Sequence, residues 1–236
     1  MSAKWVPQMR GTNEIFEEII RGDGVKYTAL TPNLKGFENA LHVKVDEVAV
    51  FAAASETFSQ KNVNCSIDES LARFQDIFEK ARQKKIPVRG YVSCVLECPY
   101  EGQVAPERVL EVTSRLLDMG CYEVSLGDTI GKGTPKTTEA LLKVVCENLH
   151  AQQLAGHFHD TSDTAIKNVE IALKYGITTF DTAIGGLGGC PYAPGAKGNL
   201  STVQLINAIG INSFIGALDL EKLLYAEKFL TSMLKN

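Results

Sequence analysis

The sequence has no excess of positive charge. Its 236 residues carry 24 Lys and Arg against 28 Asp and Glu, for a net charge of −4. A phosphate backbone finds no basic surface to condense on, so nucleic acid is excluded as a partner. Long hydrophobic runs are missing as well. The longest, Val48 to Ala54, falls well short of the ~18 residues that a membrane span requires, so no membrane partner is expected. No basic, apolar, small-residue segment opens the chain, which argues against a secretory signal and for a soluble intracellular location. Cysteine is modest: Cys65, Cys94, Cys98, Cys121, Cys146 and Cys190 are unevenly spaced and do not form a disulfide framework. Cys94 and Cys98 enclose three residues, so neither a zinc knuckle nor a thioredoxin-like motif is present. Disorder is excluded by an apolar share of 44%. Linkers, low-complexity tracts and internal repeats are absent, so residues 1–236 read as a single domain.

What is present is an alternation of short β-rich runs with longer helical ones. Strands are expected over Lys26–Leu30, Glu47–Phe51, Val88–Val92, Tyr122–Leu126, Leu154–Phe158 and Thr178–Thr182, apolar on both faces as buried parallel strands tend to be. Helices are expected over Glu14–Arg21, Leu34–His42, Ile67–Gln83, Pro106–Met119, Thr137–Leu149, Thr164–Tyr175, Leu200–Ile209 and Leu218–Leu234. Ser66 with Glu69 forms a capping box, and Gly120 and Gly176 sit where helices need a left-handed terminus. Strand then helix, about six times over, predicts an α/β fold with parallel strands and crossover helices. No Gly-x-Gly-x-x-Gly follows the first strand, which argues against an open dinucleotide-binding sheet. Polar residues gather just after several strands: Thr31 and Asn33, Ser55 and Glu56, Ser93 and Cys94, Asp128 and Thr129, His157 to Asp160. The mouth of a TIM-type barrel collects residues in this way. A closed barrel has eight strands, and this chain supplies six.

Three stretches carry chemistry. In Gly156-His157-Phe158-His159-Asp160-Thr161 the two histidines share one face of a strand, because side chains alternate with period two. Such a pair can hold one divalent metal; the alternative is two polar side chains bonded to backbone at a loop edge. From Gly185 to Asn199, six glycines in fifteen residues predict a long mobile loop with Cys190 at its middle. Its thiol can be a nucleophile or proton donor that arrives with loop closure, or it can be incidental. Asp128 follows an apolar strand, where it can line the mouth or cap the turn by accepting a backbone amide.

Together, TPNLKGFENA, NVNCSIDES, RGYVSCVLECPYEG, MGCYEVSLGDTIGKGTP, HFHDT and GGLGGCPYAPGAKGN resemble the 3-hydroxy-3-methylglutaryl-CoA (HMG-CoA) lyase family, from Lys4 almost to the C-terminus. The resemblance implies a TIM barrel that cleaves HMG-CoA, a small acyl-CoA substrate, to acetyl-CoA and acetoacetate, in leucine degradation and ketone-body formation. It implies a divalent cation, Mg2+ or Mn2+, held by His157, His159 and Asn199. Cys190 becomes the loop thiol of the site, and the proton acceptor falls to the pair Asp128 and His157. The family's opening strand–helix–strand, with its Gly-Pro-Arg-Asp-Gly stretch, has no counterpart here. The expectation is therefore a barrel truncated at its N-terminus to about six β/α units, without that stretch's aspartate ligand and arginine. Val203-Gln204 replaces an acidic pair expected near Asn199. An open sheet invites pairing with a second copy, so a homodimer is the simplest assembly. By resemblance the location is the mitochondrial matrix in a eukaryote, though no transit peptide is visible, and the cytoplasm in a bacterium. Two other readings stand beside this one: a catalytically impaired barrel fragment, and a sister metal-dependent aldol or Claisen enzyme.

Overall fold

The computed structural model describes residues 11–189, 198–216 and 218–234. In chain order the elements are α1 (Thr12–Glu18), β1 (Thr28–Leu30), α2 (Leu34–His42), β2 (Glu47–Ala53), α3 (Glu56–Val63), α4 (Ile67–Lys84), β3 (Val88–Ser93), β4 (Glu97–Cys98), β5 (Gly102–Gln103) and α5 (Pro106–Met119). They continue with β6 (Glu123–Asp128), α6 (Pro135–Asn148), β7 (Leu154–Phe158), α7 (Ala165–Lys174), β8 (Thr179–Phe180), α8 (Thr202–Ile209) and α9 (Leu220–Leu234). Several boundaries follow from local chemistry. Ser66 and Glu69 close the capping box of α4, Asn33 accepts the amide of Gly36 to start α2, and Gly120 ends α5 at φ 116°. Two elements escape the periodicity: α3, with only Phe58 and Ser59 buried, and the small β4–β5 hairpin.

Six strands form one parallel sheet in the order β1-β2-β3-β6-β7-β8. The order never reverses, so there is no switch point of the kind that defines a doubly wound sheet. Each strand is laid beside the one before it, as in a (β/α) barrel, and the sheet curls into a half-barrel. One of its faces packs under the helices. Val48, Val50, Val92, Val124, Leu126 and Leu154 meet Phe74 and Ile77 of α4, Val109 and Leu116 of α5 and Val145 of α6 in the core. The glycine at position 90 leaves room for its neighbours on both sides: a Cβ there would stand 3.0 Å from Cys121 Sγ and from a Val124 methyl of β6, and 3.4 Å from a Leu116 methyl of α5.

The other face differs from the expectation of strands apolar on both sides. Register puts Ala49 opposite Arg89, Arg89 opposite Glu123 and Tyr91 opposite Ser125, and Gly127 opposite His157. Alternation thus sends Glu47, Arg89, Tyr91, Glu123, Ser125 and His157 to the concave side. These positions are buried or half-buried, and as charged groups away from water they are held in pairs, which apolar periodicity does not anticipate.

Leu116 is fully buried between α5 and the sheet. Leu116→Ala is expected to lower the unfolding free energy by about 2–5 kcal/mol, read from urea denaturation followed by circular dichroism.

Candidate active site

Most of the polar residues expected to ring a barrel mouth are occupied with capping. Ser55 accepts the amide of Phe58, and Glu56 accepts the amide of Ile67. Thr129 accepts the amide of Cys94, and Asp160 accepts that of Ala165. Each satisfies a donor that a helix or turn would otherwise leave bare.

Asp128 behaves in the same way. It is fully buried at the end of β6, where Gly133 donates its amide to Oδ2 at 2.9 Å and Lys132 donates to Oδ1 at 3.3 Å. Burial pushes its carboxyl up to about 6, against the lowering effect of those amides. Asp128 lies on the opposite face of β6 from Ser125 and Gly127, and among the described residues no hydrogen bond, ion pair or ring contact joins it to His157 or His159.

The histidines do meet. Their ring centroids stand 5.3 Å apart, with the planes at 49°. Asn199 joins them from forty residues downstream, because the chain returns to pair with the end of β7. The amide of Leu200 donates to the carbonyl of Phe158 at 3.0 Å, the amide of Asp160 donates to that of Gly198 at 3.1 Å, and His159 and Asn199 form an antiparallel bridge. The glycine-rich segment locks this return. Asn199 donates from Nδ2 to the carbonyl of Leu187 at 2.8 Å. A Cβ at Gly188 would stand 2.6 Å from that same Nδ2, and one at Gly198 would overlap the carbonyls of Gly186 and Gly188. Gly188 and Gly198 therefore serve close backbone packing. Cys190, with residues 191–197, lies outside the described residues.

Two atoms at this junction are buried without a partner, His159 Nδ1 and Asn199 Oδ1. Unpaired buried polar atoms are costly, and here both carry lone pairs beside a second imidazole. Burial, with His157 as neighbour, lowers the pKa of His159 to about 4, so its ring is neutral at physiological pH. Two imidazoles and an amide oxygen are a donor set that suits a divalent cation of borderline character. Among the described residues no cluster of three His, Cys, Asp or Glu exists; the further unpartnered donor atom at the junction is the amide oxygen of Asn199.

Sequence reading missed what stands behind the pair. A cavity of about 470 Å3 is lined by Tyr91, His157, Phe180, Asp181, Thr182 and Asn199. Tyr91 meets His157 edge-on at 6.0 Å. Asp181 engages His157 Nδ1 at 3.2 Å and accepts from Arg89 at 2.8 Å and from Ser125 at 2.7 Å. Burial alone would raise its carboxyl, but the bond to His157, the Arg89 charge and the Ser125 hydroxyl hold it below the usual carboxylate range. Arg89 also donates to Glu123 at 2.7 Å and to the Tyr91 hydroxyl. Burial, with Asp181 nearby, pushes the Tyr91 phenol up to about 12. The signal for this network was present: a charge in the middle of an apolar strand, as in Pro87-Val88-Arg89-Gly90-Tyr91, must find a partner. At the acidic pair's expected place, Val203 is buried and the amide of Gln204 bonds Ser201.

Because Asp128 takes up its proton near pH 6 when folded and near 3.8 when unfolded, the folded state holds that proton more tightly between those values. Its contribution to stability is complete below about pH 4 and lost as pH rises through about 6. Relative to Asp128→Asn, the wild type is expected to lose stability over that interval, on the order of 3 kcal/mol. Urea midpoints at successive pH values measure it, and parallel curves for the two proteins would contradict the burial argument.

Comparison with known proteins agrees with this geometry. The HMGL-like family model matches residues 4–230. A hydroxymethylglutaryl-CoA lyase of Pseudomonas mevalonii is 52% identical over 221 residues, covering 94% of this chain and 73% of that protein. Other relatives near 50% identity are named as cytoplasmic or mitochondrial lyases. The crystal structure of the HMG-CoA lyase from Brucella melitensis superimposes with a TM-score of 0.96 at 47% identity, over all of this chain and 83% of that one. An HMG-CoA lyase from Acinetobacter baumannii, solved with coenzyme A and 3-methylmalate, gives 0.93 at 33% identity, over all of this chain and 77% of that one.

Proposed function

This chain belongs to the HMGL-like family, and we propose that it cleaves HMG-CoA to acetyl-CoA and acetoacetate at the cavity beside the end of β7. The family is metal-dependent. The products belong to leucine breakdown and ketone-body formation. The impaired-fragment and sister-aldolase readings are not favoured, since relatives near 50% identity are named lyases of this one type.

The observation that carries the site reading is the pair of unpartnered buried atoms, His159 Nδ1 and Asn199 Oδ1, on two residues bridged to each other next to His157. In this reading the three side chains hold a divalent cation; the family resemblance points to Mg2+ or Mn2+, of which Mn2+ tolerates two imidazole ligands better than the harder Mg2+. When bound, the cation would polarise and orient the hydroxyl and carboxylate of the substrate.

The chain's own residues then have a proton to move. Cleavage takes the proton from the C3 hydroxyl, breaks the C2–C3 bond, and leaves an enolate on the thioester fragment that is protonated at C2. The acceptor role is assigned to the pair Asp128 and His157. His157 borders the cavity, with its Nδ1 engaged by Asp181. Asp128 has a carboxyl raised to about 6, in the range a base needs, but it lies on the other face of β6, held by the amides of Lys132 and Gly133, and is not part of the cavity lining. Protonation of the enolate is assigned to the Cys190 thiol, which follows the glycine segment that ends beside Asn199. No helix among the described residues is long and apolar enough to cross a membrane. Matrix or cytoplasmic residence, according to source, and a homodimer complete the proposal.

The test is Cys190→Ala. It is expected to bind Mn2+ as the wild type does while turnover of HMG-CoA falls about 10²- to 10⁴-fold, measured by calorimetry and by acetyl-CoA release. Unchanged turnover would remove the thiol from the reaction.

A further inference from the structure

We propose that Asp181 is a positioning residue: anchored by Arg89 and Ser125, it fixes the tautomer of His157 and aims its Nε2 at the cation site. The proposal rests on the reading above that His157 is a metal ligand.

A neutral imidazole has one N–H and one lone pair, and the partner of one nitrogen decides which is which. An ionised carboxylate only accepts. With Asp181 Oδ2 at 3.2 Å from His157 Nδ1, the hydrogen must sit on Nδ1, which leaves the lone pair on Nε2. The ring is only partly buried, its side chain 27% exposed, so without this contact packing alone would leave it two orientations. His159 has no corresponding partner, since its Nδ1 is unbonded. The two imidazoles are thus held by different means, one by a carboxylate and the other by burial and the bridge to Asn199.

Asp181 can do this because it is itself fixed. Its Oδ1 accepts from Arg89 at 2.8 Å and its Oδ2 from Ser125 at 2.7 Å. Arg89 in turn is clamped by Glu123 at 2.7 Å. Three strands, β3, β6 and β7, therefore converge on a carboxylate just beyond β8, and the position of the cation site is set from behind. Carboxylate partners of ligand histidines commonly contribute 10- to 100-fold in metal affinity.

The test uses Mn2+ alone as probe, on wild type, Asp181→Asn, Ser125→Ala and His157→Ala. Affinity is read by calorimetry and the tautomer of His157 by nitrogen-15 NMR of the metal-free protein at pH 8. In the wild type Nδ1 is expected to carry the hydrogen. Asp181→Asn, whose amide can donate to Nδ1, is expected to move hydrogen to Nε2 and to weaken Mn2+ binding about 10- to 100-fold. Ser125→Ala leaves every charge in place and serves if Asp181→Asn does not fold; it is expected to move both readouts in the same direction, by less. A wild-type ring with its hydrogen on Nε2 overturns the proposal. So do variants at Asp181 and Ser125 that match the wild type in tautomer and affinity while His157→Ala loses Mn2+, an outcome that spares the ligand reading. If His157→Ala binds Mn2+ like the wild type, the ligand reading itself is what fails.

Discussion

The structure turns on one ion pair. Arg89 lies on β3 and Asp181 just past β8, three places apart in the sheet, yet their side chains meet at 2.8 Å. Strands lie about 4.8 Å apart, so a flat sheet would separate these positions by roughly 14 Å, with both side chains pointing straight out of it. The contact exists only because the sheet curls, and it stands as a chord across the curve. Both partners are largely withdrawn from water. A buried charge without its partner costs several kcal/mol, whereas a fully bonded pair is close to neutral. The chord therefore contributes less to net stability than to selecting the one curvature in which Arg89, Glu123, Asp181 and His157 are all satisfied. One nitrogen of Arg89, Nη2, remains buried and unbonded, so even this hub is not saturated.

The function follows from that curvature. A parallel strand delivers every second side chain to the concave face, and β7 with the residue that follows it delivers His157 and His159. Their usefulness as ligands depends on groups brought in from elsewhere. Asn199 is placed by a backbone bridge, and Asp181 is placed by Arg89. The site is thus a joint product of one strand's alternation and two long-range closures.

Much of this was legible in the chain. The histidine pair at strand spacing, the capping box at Ser66 and the strand–helix alternation all depend on local rules, and the structure follows them almost residue for residue in α2, α5 and β7. Less was legible where side chains act at a distance. Arg89 and Glu123 stood in apparent core strands, and nothing in their neighbours named Asp181 as the partner of either. Asp128 could be read as a mouth residue or a turn cap, and the amides of Lys132 and Gly133 that engage it are five residues away or fewer. The glycines at 186, 188 and 198 read as freedom because composition does not reveal what lies against a backbone. What lies there is Asn199 and the loop's own carbonyls.

The strand order has a kinetic meaning. Since every strand pairs with the one that precedes it in the sheet's growth, each addition closes a loop of only a few tens of residues, and closure entropy rises slowly with length. Such a sheet can assemble by accretion, one β/α unit upon the last. The chord from Arg89 to Asp181, with a separation of 92 residues, is the exception. It can form only after β6, β7 and β8 have docked, so the carboxylate reaches His157 among the last steps of folding. The units from α2 to α7 can therefore be in place before the imidazole is ordered.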